Sequence, residues 1–300
     1  MSQLAVRQIE ETWTPPAREY LDRKFRIDAE LSIQGQRLDK LNKLSSILEN
    51  LPAERIARES EKLESALKNV HGFTRAILDH MQKLHKDYEK AVMKLALTGK
   101  VSKQGYTNYL VQGWYHTRYT PTFERLFTDR LAGHMKDNGV SMAHVNSQEN
   151  KFMKMLEHDI DEEEGHELWA LQDILHMGKR DAIDVYSDVY PETKALVAIQ
   201  FDRLARKPFV GFLGYSFYLE FFIAQHSPKF VKLLTKLFNS DRSDNAFIYY
   251  HYLVDQGHSI DNIEVLNTLV TTEEDYREVI DHMNTVHMLY KGLSLRSFES

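Results

Sequence analysis

Six residues in two stretches carry the side chains best suited to chemistry. In residues 247–261, FIYYHYLVDQGHSID, His251, Asp255 and His258 fall at relative positions 0, 4 and 7. At about 100° per helical residue they share an arc of about 60°, so two imidazoles and a carboxylate project from one stripe. In residues 156–178, LEHDIDEEEGHELWALQDILHMG, Asp159, Glu163 and His166 repeat that spacing. Glu163 with His166, and Asp255 with His258, make [DE]-x-x-H pairs. Such pairs on facing helices assemble di-iron and di-manganese carboxylate centres. One pair alone, or the acidic run over 159–164, is ordinarily a solvated helix face. Two stripes in one chain, each with a third ligand-type residue in phase, point to metal.

Glu220 adds a further carboxylate. It is the only charged residue between Pro208 and Lys229, in a segment of Tyr, Phe, Leu and Ile. A lone buried carboxylate costs several kcal/mol unless it is paired or bound to a cation. Buried Tyr or Arg groups could satisfy it, but beside two histidine stripes a metal is the better partner. Glu124 is a weaker candidate, because Arg118, Arg125 and Arg130 could pair with it.

Composition narrows the chemistry. The 300-residue chain has 42% hydrophobic residues, enough for a large core, and a net charge of −6. With no basic stripe, nucleic acid and anionic membrane surfaces are excluded as partners. There is no cysteine, which removes disulfides, thiolate zinc sites, iron–sulfur clusters and cysteine nucleophiles. Any metal must be held by nitrogen and oxygen, which suits iron or manganese. No apolar run is long enough to span a bilayer and the start of the chain has no signal-peptide pattern, so a cytoplasmic protein is expected.

The elements that must position these residues read as helices throughout. Residues 1–29 are expected to be an irregular lead. From 29 to 68, Leu38, Leu41, Leu44, Leu48 and Leu51 recur at three- and four-residue steps, and Pro52 starts a second helix. That leucine stripe is either ordinary packing on the main body or a dimer contact, and a homodimer is expected. A helix over 73–97 ends near Gly99, Ser102 caps its successor, and Pro121 divides that helix from the next. Asn138-Gly139 marks a turn. The Glu-x-x-His helix is expected to run unbroken to Gly178, and Tyr190-Pro191 opens another. Pro228 is expected to begin a short helix to Phe238. Thr271–Glu274 reads as the capped start of the last helix.

At EEEGHELWALQDILHMG around His166, YLE around Glu220, HYLVDQGH around His251 and LALTGKVSKQGYTNYL, the chain resembles the haem-oxygenase-like di-iron oxidases, or iron-containing redox enzymes. The resemblance spans roughly residues 73–295. It implies an all-α fold: a haem-oxygenase-like bundle of about seven helices over 73–300, with residues 1–72 as an N-terminal helical extension. Thiaminase II and pyrroloquinoline-quinone synthase share that fold without the di-iron site, so fold alone does not give function. Carried over by position, the metal ligands are His166, His251, Asp255, His258 and Glu220. Asp159 stands where relatives commonly show Glu, one methylene longer, and Glu163 matches an acid that only some members use. The implied cofactor is Fe(II), two per chain, with Mn as the variant. O2 is the implied co-substrate, with a small amine, amino acid or fatty acid as substrate. The implied reactions are N-oxygenation, C–C cleavage or desaturation. The resemblance also implies that the two histidine-bearing helices run parallel. His166 would then share one metal with His258 and Asp255, while Asp159 and His251 serve a second, looser one.

The residues alone leave three readings open. Along a helix His251 and His258 lie roughly 10 Å apart, which suits separate ions, and metals of a binuclear pair sit about 3.5–4 Å apart. Zinc hydrolysis usually uses fewer carboxylates and an open tetrahedral position. An O2-activating di-iron oxidase or oxygenase is the first reading. A ferritin-like carboxylate protein using Glu124, Glu163, His166, Glu220, Asp255 and His258 is the second. A metal-free helical interaction protein is the third.

Overall fold

The computed structural model describes residues 24–137, 148–178, 180–240 and 245–299. A short strand β1 (Lys24–Arg26) leads into α1 (Ile27–Ile33), α2 (Gly35–Glu49) and α3 (Ala53–Lys68). The main body follows with α4 (Gly72–Leu97), α5 (Lys103–Thr117), α6 (Thr120–Asp137), α7 (Gln148–Glu163) and α8 (Glu167–Met177). Strand β2 (Ala182–Asp184) pairs antiparallel with β1. Then come α9 (Val185–Asp188), α10 (Pro191–Ala205), a 3-10 turn (Phe209–Phe212), α11 (Leu213–Phe238), α12 (Ala246–Leu269) and α13 (Glu273–Glu299). Among the described residues the fold is all-α apart from that two-stranded ribbon, and its first strand and the start of α1 occupy part of the stretch expected to be an irregular lead. The rest of that lead, residues 1–23, and the expected Asn138-Gly139 turn lie outside the described residues.

Local chemistry explains most boundaries. Along α4 the buried residues Ile77, Met81, His85, Tyr88, Val92 and Leu95 keep three- and four-residue steps, so one stripe faces the core. Ser102 accepts a hydrogen bond from the Gly105 backbone N–H at 2.9 Å, capping α5. Thr272 and Asp275 bond reciprocally to each other's backbone N–H and close the start of α13. Pro52 flanks α3 as anticipated.

Two expected boundaries are corrected. Pro228 lies inside α11 and begins no new helix. An interior proline costs about 3 kcal/mol, and here burial of Ser227, Val231, Leu234 and Phe238 holds the helix through it. The Glu-x-x-His helix is not continuous either. It breaks between α7 and α8, where Gly165 takes φ +98, a conformation that side-chain-bearing residues rarely adopt.

The N-terminal helices lie directly over the ligand-bearing ones. Leu41 and Leu48 are buried, Leu38, Leu44 and Leu51 are partly so, and all belong to one core cluster with the main body. Trp169 donates its indole N–H to Ser45 Oγ at 2.8 Å. Arg37 pairs with Glu167 at 2.8 Å, and Tyr250 donates to the Glu49 carboxylate. The leucine stripe therefore serves as packing on the main body.

Two buried histidines away from the ligand stripes give the fold a pH dependence. His282 donates to Gln200 Oε1 and His85 to the Tyr218 carbonyl. Burial pushes both imidazoles down to about 3. In the unfolded chain each titrates near 6.5. Their stabilisation is therefore complete above about pH 6.5 and is lost as pH falls towards about 3, by up to about 1.4 kcal/mol per pH unit for each. His282→Gln keeps a donor for Gln200. Urea midpoints between pH 7 and pH 5 should fall less steeply in that variant than in the parent, and equal slopes would refute the assignment.

Candidate metal centre

α12 carries His251, Asp255 and His258 on one buried stripe, as its spacing requires. The stripe extends to Asn262, one more turn along the same face. The Phe247 ring, four residues before His251, presses onto Gly113 of α5, where a Cβ would lie 2.7 Å from it. It also sits edge-on to the His251 ring at 4.6 Å between centroids. His251 Nδ1–H donates to the Phe247 carbonyl at 2.6 Å. That fixes the ring and leaves Nε2 as the lone-pair nitrogen, the arrangement found in metal-binding histidines.

The partner residues arrive from two elements. Asp159, Glu162 and Glu163 lie in the last turns of α7, and His166 follows the Gly165 turn at the head of α8. His166 is fully buried and stacks on Trp169 at 4.4 Å, edge-on to His251 at 5.1 Å. Asp173, two turns further along α8, accepts the backbone N–H groups of Ala246 and Phe247 at 3.0 and 2.9 Å. It thereby caps the start of α12. His258, at the other end, meets Glu162 and Glu163 at 3.3 Å each and Asp255 at 3.6 Å. As residue numbers rise from 159 to 173, their partners fall from 258 to 246, so the two segments run antiparallel. The parallel arrangement and its pairing of His166 with His258 are corrected. His166 goes with His251, and Asp159 goes with His258.

Three sets of ligand-type atoms lie within 4.8 Å of one another: Glu163, His166 and His251; Glu163, Asp255 and His258; and Asp159, Glu162 and His258. Glu163 belongs to two of them. Glu162 was not among the expected residues, because its half-exposed side chain sits in an acidic run that reads as solvated surface. Glu220 stands across the cavity. Ser216 Oγ donates to its Oε1 at 2.8 Å and Asn262 Nδ2 to its Oε2 at 2.5 Å. It lies outside the three sets, although it lines the same space. Glu124, the weaker candidate, lines a cavity with Asp159, Glu220 and His258, and its Oε2 is buried without a hydrogen-bond partner.

Electrostatics follow from this crowding. Burial pushes the Glu124 and Glu220 carboxyls well above their ordinary values, and neighbouring carboxylates add to it. Burial takes Asp159 and Asp255 to about 6 and His251 down to about 3. Burial also opposes charge on Glu163, but His166 and His258 hold it well below the usual carboxylate range. His258 is raised well above its ordinary value, since the carboxylates around it outweigh its burial. The metal-free chain thus gathers six carboxyl groups around one imidazolium, a charge pattern that a dication would complete.

The donor set fits such an ion. Both ring nitrogens of His166, Oδ1 of Asp159 and Oδ1 of Asp255 are buried with no hydrogen-bond partner. Each orphaned polar atom costs about 1–3 kcal/mol, and each belongs to one of the three sets: His166 to that with Glu163 and His251, Asp255 to that with Glu163 and His258, Asp159 to that with Glu162 and His258. Imidazole and carboxylate without thiolate suit iron or manganese. A second cavity of 60 Å³ adjoins it, lined by His116, Glu163, Glu220, His251, Asp255 and Tyr290 among others.

No helix among the described residues is long and apolar enough to cross a membrane. Comparison with curated proteins yields no match. A solved structure from Shewanella denitrificans, described as a domain of unknown function with a heme oxygenase-like fold, superimposes with a TM-score of 0.58 at 22% identity. The alignment covers 73% of this chain and 90% of that one, and establishes the fold. Residues 128–291, which hold all seven expected ligands, match the family described as iron-containing redox enzyme. The chain belongs to the iron-containing redox enzyme family.

Proposed function

We propose that the chain is a non-haem di-iron oxidase or oxygenase that uses O2 to oxidise a small organic substrate. The observation that carries the reading is the shared position of Glu163 between two imidazole-bearing sets, in which the ring nitrogens of His166 and Oδ1 of Asp255 are buried without a hydrogen-bond partner. One ion would be held by His166, His251 and Glu163. The other would be held by Glu163, Asp255 and His258, with Asp159 and Glu162 beside it. Two Fe(II) ions would supply the electrons for O2 reduction.

The chain's own residues do the rest. The Phe247 carbonyl holds His251 in one tautomer. Ser216 and Asn262 hold Glu220 on the cavity side, where it can complete a metal's shell or orient substrate. Burial of Trp169 and Phe247 around the imidazoles keeps bulk water out. With the fold haem-oxygenase-like, a ferritin-like arrangement lacks its scaffold. A metal-free role would leave the orphaned donors uncompensated.

The test is O2 consumption by anaerobically Fe(II)-loaded protein against a small library of amines, amino acids and alkyl carboxylates. At least one class should accelerate it by about tenfold or more, as expected for substrate-gated chemistry. Uniform background rates across the library in protein that demonstrably holds iron would reject the oxygenase assignment.

A further inference from the structure

We propose that His116 is the hydrogen-bonding wall of a small-ligand pocket beside the metal centre, donating to a two- or three-atom acceptor the size of azide or dioxygen. His116 belongs to none of the three ligand sets. Its role deepens the reading above and rests on that reading for the metal.

His116 reaches the centre from the last turn of α5. At Gly113 the missing Cβ lets the Phe247 ring press onto that helix. One turn further along each helix stand His116 and His251, close enough for positive charge on one to oppose charge on the other. The His116 ring lies edge-on to Tyr290 at 6.0 Å between centroids. It lines the 60 Å³ cavity together with Glu163, Glu220, His251 and Asp255. Burial takes its imidazole down to about 4, so near pH 7 the ring is neutral and carries one N–H.

That ring has no partner within the chain. Its Nδ1 is buried and unbonded, and the ring makes no hydrogen bond among the described residues. Buried polar side chains are seldom left so, and a guest in the cavity would account for it. The neighbouring hydroxyls are already engaged. Tyr290 bonds Tyr109 at 2.6 Å, Ser216 donates to Glu220 at 2.8 Å, and Tyr215 bonds Thr120. Ionised carboxylates accept and cannot donate, and Leu219, Ile223 and Ile248 make an apolar stretch of the same wall. His116 is therefore the donor that faces a guest. The space sets the guest's size. A volume of 60 Å³ is about twice the roughly 30 Å³ share of one water in the liquid. It is far below the roughly 300–1,000 Å³ of sites that hold organic molecules. Two or three heavy atoms fit there. Negative charge on them would strengthen the bond from His116.

The test uses iron-loaded full-length protein, oxidised to Fe(III) with ferricyanide and titrated with azide by charge-transfer absorbance. His116→Phe keeps the bulk and removes the donor, while His116→Gln keeps a donor. The parent should bind azide about tenfold or more tightly than His116→Phe, the loss expected for a hydrogen bond to a charged acceptor. His116→Gln should recover most of that loss. The azide infrared stretch should shift in D2O for the parent and stay fixed for His116→Phe. Iron content should be equal in all three proteins. Equal azide affinity in the parent and His116→Phe would overturn the proposal. So would a parent stretch that ignores D2O, a readout that stands even where His116→Phe does not fold. Iron lost from folded His116→Phe would make the imidazole a metal ligand and overturn it as well. A parent that holds iron but takes no azide overturns the His116 pocket alone, whereas a parent that holds no iron overturns the di-iron reading with it.

Discussion

Replacing Glu163 with alanine is expected to abolish both iron sites at once. Its carboxylate belongs to the set with His166 and His251 and to the set with Asp255 and His258. Loss of groups that merely orient a metal ligand already costs about 10–100-fold in affinity, so loss of a shared ligand should cost each site about 100-fold or more. The neighbouring single-site variants supply the contrast. His251→Ala should remove one class of Fe(II) and spare the other, and His258→Ala should do the reverse. This pairing follows from the antiparallel course of the two segments. Anaerobic Fe(II) titrations of the three variants, with helicity checked by circular dichroism, measure it. Retention of one full-affinity site in folded Glu163→Ala would show that the carboxylate is not shared.

Asp173→Ala should produce the largest loss of stability from a residue outside the ligand set. The carboxylate is fully buried on α8 and accepts two backbone N–H groups at the start of α12. Removing it orphans both donors and deletes a negative charge from a helix N-terminus, together worth about 2–4 kcal/mol. It also loosens the register that sets His166 beside His251. Iron affinity at that pair should therefore fall, while the His258 end holds. Urea unfolding and Fe(II) titration test the two halves, and a change within about 0.5 kcal/mol, the range of ordinary surface substitutions, would contradict the role.

How much of this was legible in the sequence depended on whether the logic stayed within one helix. His251, Asp255 and His258 were legible because α12 is unbroken, so their spacing translates directly into a shared face. Asn262 continues the same arithmetic and could have been included. The upstream stripe was legible as a set of residue types, but its geometry was not. Helical spacing holds as far as Glu163, and then Gly165 turns the chain so that His166 arrives from a different element. The Gly in EEEGHE was the available signal. Helix direction was illegible because it depends on how α8 and α12 dock, through contacts such as Asp173 with Ala246. Glu220 showed its isolation in an apolar segment, but Asn262, which holds it, lies 42 positions away. Glu124 was discounted for nearby arginines, yet Arg118 instead lies over the rings of Trp114, Tyr115 and Tyr119. Sequence proximity of opposite charges did not decide which partner was met.

Anomalous diffraction at the iron edge from anaerobically Fe(II)-loaded crystals tests the central claim most directly. Two iron peaks are expected about 3.5–4 Å apart, one beside His166 and His251 and the other beside Asp255 and His258, with Glu163 between them. A single peak, or two peaks that leave Glu163 uncoordinated, would contradict the shared-carboxylate centre.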